Sequence, residues 1–411
     1  MNKIIKTTLT VLIMLAFNAC SFMDLKKDLE KQSTLVEIVG TVSTKDKMDS
    51  NTIIALIKIN DDYPALINYR VMKKDVEFSF IVEPGLYKVV AFLDSNKNVK
   101  YDKNELATSS KLLNIKKGQT SINLSLDSLA SQSFLDEIEL IKKNGKKDLN
   151  KGHLSLGNIV TLDADIFSEE NVKKGLWQSY DFINTVDFGL FFLEKYDPNK
   201  KVVLFVHGIN GSPRNFKDII KGMDHSRFQA FILYYPSGVS ISNVSTYTKE
   251  LVVDLQAELK FDKISIVAHS MGGLTSKKYL NLLSTDKDNL VDSFISISTP
   301  WSGHSGADSG LKYSPLIIPV WKDMATSSDF ISKLFDTPLP DSTKHYLLFG
   351  YKGQSMTADG NSDGVVSLKS QLRLSAQSSA TLVRGFNENH NSILQSKDVI
   401  NLINKILNKE L

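Results

Sequence analysis

Lys263-Ile264-Ser265-Ile266-Val267 is a short apolar, β-branched run, and Leu274-Thr275-Ser276-Lys277-Lys278-Tyr279-Leu280 reads as a helix; only Ala268-His269-Ser270-Met271-Gly272-Gly273 stands between them. Such a run reads as a strand buried on both faces. A strand that passes directly into a helix belongs to a βα unit, whose helix folds back over the sheet. Ser270 is therefore held at a strand-to-helix turn, and small residues at 268 and 272 let neighbouring backbone approach it. A helix start with Ser270 as cap and the glycines as packing would use the same residues.

The surrounding chain fits that unit. From about Glu169 strand patterns alternate with helix patterns, the signature of a mainly parallel sheet with helices on both faces. Strands are predicted at Lys201–His207, Phe228–Tyr235, Lys263–His269, Ser293–Ser298, His345–Gly350 and Ala380–Gly385. Helices are predicted at Asn215–Lys221, Val244–Lys260, Met271–Leu283 and Ser392–Asn408, the last with Val399, Leu402, Ile403 and Ile406 on one face. The connection between the fourth and fifth strands is too long for one helix and two loops. It predicts a cap insertion at about 301–344. Residues 33–168 read differently, as short alternating strands at Leu35–Val42, Thr52–Ile59, Val76–Val82 and Leu86–Leu93 followed by a connector. They predict a small β-sandwich domain, to which Leu154–Leu162 would return as one more strand.

A chain of 411 residues needs two or three domains, and 42% apolar with 23% charged residues is ordinary globular composition. The net charge of +3 includes Lys3 and Lys6 of the N-terminal leader, so the remainder is close to neutral and no nucleic-acid partner is expected. That leader, basic over Met1–Lys6 and apolar over Leu9–Phe17, is too short to span a membrane comfortably and reads as a signal peptide, residues 1–19. Cys20, the only cysteine, follows directly after Ala19, and the junction resembles a bacterial lipoprotein cleavage site. The resemblance implies lipidation at Cys20 with palmitate-type chains, a tether over 20–32, and an exported protein anchored to a membrane of the cell envelope. An ordinary signal with a stray cysteine would instead give a periplasmic or secreted protein. With no second cysteine there is no disulfide, so packing must supply the stability.

Between the strand at Leu86–Leu93 and the next run lies Asp94-Ser95-Asn96-Lys97-Asn98-Val99-Lys100-Tyr101-Asp102-Lys103-Asn104-Glu105. Asp94, Asn96, Asn98, Lys100 (through its carbonyl), Asp102 and Glu105 have the spacing by which a loop wraps Ca²⁺, with Val99 where such loops carry glycine. The loop resembles those of bacterial immunoglobulin- or transthyretin-like modules and is a candidate structural Ca²⁺ site. A solvated loop of Asx-turns would read the same.

The remaining signals concern Ser270. Lys201–Val206 is an apolar strand that ends in His207-Gly208-Ile209; Asp363-Gly364-Val365-Val366 lies after the fifth strand; His390 lies after the last. A serine needs a base to become a nucleophile, and the base needs an acid to hold its tautomer. Serine, late Asp-Gly and terminal-loop His, in this order on alternating strands and helices, resemble the α/β-hydrolase superfamily. Ser298-Thr299-Pro300-Trp301-Ser302-Gly303 is similar to a segment of its bacterial lipases and GPI-inositol-deacylase-like esterases. The resemblance covers about Lys200 to Leu411. It implies Ser270 as nucleophile, His390 as base, Asp363 as acid with Asp359 as the alternative, and backbone N–H groups of Ile209 and Met271 as the oxyanion hole. His207 belongs to the turn. The implied activity is hydrolysis of carboxylic esters, lipids included, through an acyl-enzyme, with no cofactor in the chemistry. Amide or peptide cleavage on the same residues, and a surface-tethered binding lipoprotein without turnover, remain open.

Overall fold

The computed structural model describes residues 23–45, 50–59, 64–73, 76–96, 101–116, 118–129, 154–283, 290–353 and 360–411. The chain divides into two units, built mainly from Glu30–Leu154 and from Ser155–Leu411. Cys20 and the leader, Asn98, Val99, Lys100 and Asp359 lie outside the described residues.

The first unit holds β1 (Val36–Thr44), β2 (Asn51–Ile59), β3 (Pro64–Lys73), β4 (Val76–Val82), β5 (Gly85–Asp94), β6 (Ala107–Ser109), β7 (Leu113–Ile115) and β8 (Gln119–Leu126). They form a sheet ordered β4-β1-β8 and another ordered β3-β2-β5-β6, with β7 also on β5. Alternation decides which side chains meet: Val36, Ile38 and Val42 of β1, Phe78 and Phe80 of β4 and Leu124 and Leu126 of β8 share one core with Ile54 and Leu56 of β2 and Val89, Ala91 and Leu93 of β5. Each large side chain so buried contributes about 1.5–3 kcal/mol. This is the expected sandwich.

In the Asp94–Glu105 loop the Glu105 carboxylate accepts the Ser95 N–H at 2.8 Å and the Asp102 N–H at 3.0 Å. Asn96 donates to Asp102 at 2.7 Å. Among the described residues no three acidic, His or Cys groups cluster as metal ligands.

The second unit holds β9 (Leu154–Ile159), β10 (Phe188–Phe192), β11 (Lys201–Val206), β12 (Phe228–Tyr234), β13 (Ile264–His269), β14 (Val291–Ile297), β15 (Lys344–Gly350) and β16 (Ala380–Phe386). They make one sheet, in the order β16-β15-β14-β13-β11-β12-β10-β9. From β11 to β16 neighbours pair in parallel, and β10 pairs antiparallel with β12. Leu154–Ile159 does not return to the first domain as expected. It forms the edge of this sheet, where Val160 N–H donates to the Phe192 carbonyl at 2.9 Å. Six residues are enough for a strand in either sheet, and nothing local chooses between them.

All of β13 is buried, as its unbroken apolar run requires. The helix Lys397–Leu407 turns Val399, Ile403 and Ile406 into the core. The expected tether is helical over residues 23–34, and buried Asp28 accepts the N–H groups of Tyr180 and Asp181, capping the helix Ser179–Thr185. No described helix is long and apolar enough to cross a membrane. The segment between β14 and β15, where a cap insertion is expected, contains the helices Ser305–Tyr313, Pro319–Met324 and Asp329–Lys333.

The sheet order also fixes where a site can form. The chain leaves β11 for β12 on one side and returns to β13 on the other. Connections that diverge from adjacent parallel strands open a crevice at their carboxyl ends. His207-Gly208-Ile209 and Ser270 are the residues at those ends.

Candidate active site

Ser270 has φ +53°, the left-handed region that a side chain enters at a cost of about 1–3 kcal/mol. Hydrogen bonds hold it there: its N–H donates to the Ile297 carbonyl at 2.8 Å, and its carbonyl accepts the Gly273 N–H at 2.9 Å. Missing side chains make the room. A Cβ on Gly272 would stand 2.2 Å from the Val206 carbonyl oxygen, and one on Gly208 would stand 2.8 Å from the Ser270 Cβ. The turn thus fits against the end of β11 only with glycine at both positions.

His390 and Asp363 are joined. His390 Nδ1 lies 2.7 Å from Asp363 Oδ2, and the His390 N–H donates to the Asp363 carbonyl at 2.8 Å. Asp363 Oδ1 accepts the N–H groups of Val365 at 3.0 Å and Val366 at 2.7 Å. Gly364, φ +96°, makes the turn that aims both. Burial pushes the Asp363 carboxyl up, but the His390 hydrogen bond and charge and the two backbone donors outweigh it, leaving the pKa below the ordinary carboxylate value. A carboxylate only accepts, so the His390 proton sits on Nδ1 and the Nε2 lone pair is left for another donor.

Ser270, His390 and Ile209 line one cavity of about 430 Å³. No hydrogen bond among the described residues joins Ser270 to His390. Met271 is buried and stands outside the lining; its N–H occupies the first position of the helix Met271–Leu283, where no helical acceptor exists. Asn210, φ +51°, turns the chain after Ile209, and its N–H donates to Ser237 Oγ at 3.0 Å.

His207 is part of this turn, as its position implies. Its ring stacks on Tyr235 with centroids 4.2 Å apart, Nε2 accepts the Tyr235 N–H at 3.4 Å, and Nδ1 donates to the Gly208 carbonyl at 2.9 Å. The Tyr235 hydroxyl donates to the His207 carbonyl at 2.5 Å. Burial holds the His207 pKa down at about 4, so the ring is neutral and structural at neutral pH.

The family model described as “Alpha/beta hydrolase of unknown function (DUF915)” matches residues 237–410, a span that runs from before Ser270 to beyond His390. With the parallel sheet, this decides the fold. The C-terminal unit has the α/β-hydrolase fold. The chain is similar in structure to the mature Bacillus licheniformis lipase BlEst2, at 20% identity and TM-score 0.44 over 52% of this chain and 94% of that one. It is also similar to the lin2722 gene product of Listeria innocua, at 16% identity and TM-score 0.41 over 51% and 94%. A comparison with curated proteins gives no match.

Within this hydrolase unit Ser270, Asp363, His390 and Ile209 come together, while the Asp94–Glu105 residues belong to the other unit. Two histidines in the site escaped the sequence reading. His269 Nε2 donates to the His390 carbonyl at 2.8 Å, and burial, then the neighbouring His390, holds its pKa at about 3, so it braces the base loop as a neutral ring. His304 enters the cavity from the cap. Adjacency to Ser270 was a signal for the first; nothing in the sequence pointed to the second.

Proposed function

We propose that the hydrolase unit cleaves carboxylic esters through an acyl-enzyme on Ser270. His390 Nε2 takes the hydroxyl proton as Oγ attacks the ester carbonyl, and the N–H groups of Ile209 and Met271 meet the charge that develops on the carbonyl oxygen. The tetrahedral adduct collapses, the C–O bond breaks, and the imidazolium gives its proton to the departing alcohol. Water then repeats the sequence on the acyl-enzyme and frees the acid. Asp363 keeps the imidazole in its productive tautomer and stabilises its charged form.

One observation carries the reading. A serine held at φ +53° at the end of β13 shares a cavity with a histidine whose other nitrogen is bound to a buried carboxylate. Trp321, Met324 and Ala307 line the cavity from the cap side, and Pro300 adds to the apolar wall, which supports acyl chains longer than acetate. A fluorophosphonate probe should label the wild type and not Ser270→Ala, and p-nitrophenyl butyrate turnover should fall about 10⁴-fold in Asp363→Asn, where the wrong imidazole tautomer is favoured. An unlabelled wild type would leave a binding protein on a hydrolase fold. Matched ester and amide substrates decide which bond is cleaved.

A further inference from the structure

We infer that His304 is a positioning residue, the joint through which the cap insertion holds the acid loop; this rests on the ester-hydrolase reading of Asp363 and His390. His304 is the N-cap of the helix Ser305–Tyr313, and it lines the cavity shared by Ser270 and His390. Its two ring nitrogens are used in opposite senses. Nδ1 accepts the Gly306 N–H at 3.0 Å, which makes it the unprotonated nitrogen. A Cβ at residue 306 would stand 2.8 Å from this nitrogen, so glycine is what lets the ring close on the helix start. The proton therefore sits on Nε2, which donates to the Val365 carbonyl at 3.0 Å.

That carbonyl belongs to the same peptide group as the Val366 N–H, which donates to Asp363 Oδ1 at 2.7 Å. Hydrogen bonds at both ends of one peptide polarise it and fix its plane. The chain of contacts runs from the cap through His304 to this peptide, then through Asp363 to His390. Val365 is 41% exposed and follows a glycine, so of the two side chains flanking the peptide only that of Val366 is buried. Asp363 also accepts the Val365 N–H, but only the Val366 donor is tied to the cap.

The two nitrogens can be separated. In His304→Asn a short amide keeps an oxygen for the helix cap and no longer reaches Val365; in His304→Gln a longer amide reaches Val365 and caps poorly. The Asn variant should lose kcat about ten-fold with KM unchanged, the loss of one hydrogen bond that orients the acid. The Gln variant should recover most of kcat and raise KM, because Gly306 and Ala307 line the cavity. Amide hydrogen exchange at Val366 should quicken in the Asn variant and stay slow in the Gln variant. An Asn variant with wild-type kcat and wild-type Val366 protection would overturn the inference. So would two variants that lose kcat, KM and melting temperature alike, which is the behaviour of a merely structural residue. A wild type without turnover would defeat the ester-hydrolase reading, and Val366 exchange would still decide whether His304 is the joint.

Discussion

Lowering the pH from 7 to 5 should destabilise the hydrolase unit by several kcal/mol through three buried histidines. Burial is the main cause holding His207 at about 4 and His269 and His345 at about 3. An imidazole in the unfolded chain titrates near ~6.5. Between these values the unfolded state binds protons that the folded state refuses. The stabilisation is therefore complete above ~6.5 and is lost as pH falls toward the folded values. At pH 5 each site costs ~2 kcal/mol, and the three together ~6 kcal/mol, against a total stability of about 5–15 kcal/mol. Asp323 acts in the opposite sense, since burial raises its carboxyl and its folded form takes up a proton first. The neutral rings are built in: His345 Nε2 lies 2.8 Å from Ser296 Oγ, and its ring stacks on Phe294 at 4.8 Å. Urea titrations at pH 7 and 5 measure the loss, and His345→Gln should reduce the difference by about a third of the ~6 kcal/mol. Equal unfolding free energies at the two pH values, or unfolding without proton uptake in calorimetry, would refute the reasoning.

Three further outcomes are expected. Because Trp321 lines the cavity, Trp321→Ala should flatten the preference among acyl esters of increasing length, which in the wild type should climb by up to about 0.8 kcal/mol per buried CH₂; a wild type that prefers acetate contradicts an apolar acyl pocket. If Cys20 carries the lipid, the wild type enters the detergent phase and Cys20→Ser stays in water; equal partitioning removes the anchor. A Ca²⁺ held by the Asp94–Glu105 loop raises the melting temperature as the ion is titrated, by mass action. An unmoved transition leaves Glu105 as a brace for the Ser95 and Asp102 N–H groups alone.

Much of the parallel sheet was legible because its strands are buried on both faces and write their burial as unbroken apolar runs, as in β11 and β13. The same runs end at His207 and Ser270, so the order of elements predicted where the site would lie. Edges were harder. Pro64–Lys73 mixes Asn68 and Arg70 into its pattern, and nothing in those ten residues shows that they pair along the whole of β2. β10 is a five-residue apolar run that fits a strand or a buried helix end equally well. Within the site, Asp363 and His390 were readable because each stands in a loop after a strand. The roles of His269 and His304 were not, since each depends on a backbone carbonyl more than sixty residues away or on a loop across the cavity. Sequence spacing carries no trace of such a contact.

The place of β9 bears on how this chain can be cut. A fragment beginning at residue 169, where the strand-helix alternation starts, would lack the strand that covers one side of β10. What it would bare is Phe-Gly-Leu-Phe-Phe, with a row of unpaired backbone donors and acceptors beside an aromatic surface. Open edges of this composition template pairing with other chains. The excised unit would then accumulate as aggregate even with every residue of the site intact, whereas a fragment that starts at or before Leu154 keeps β10 paired with β9.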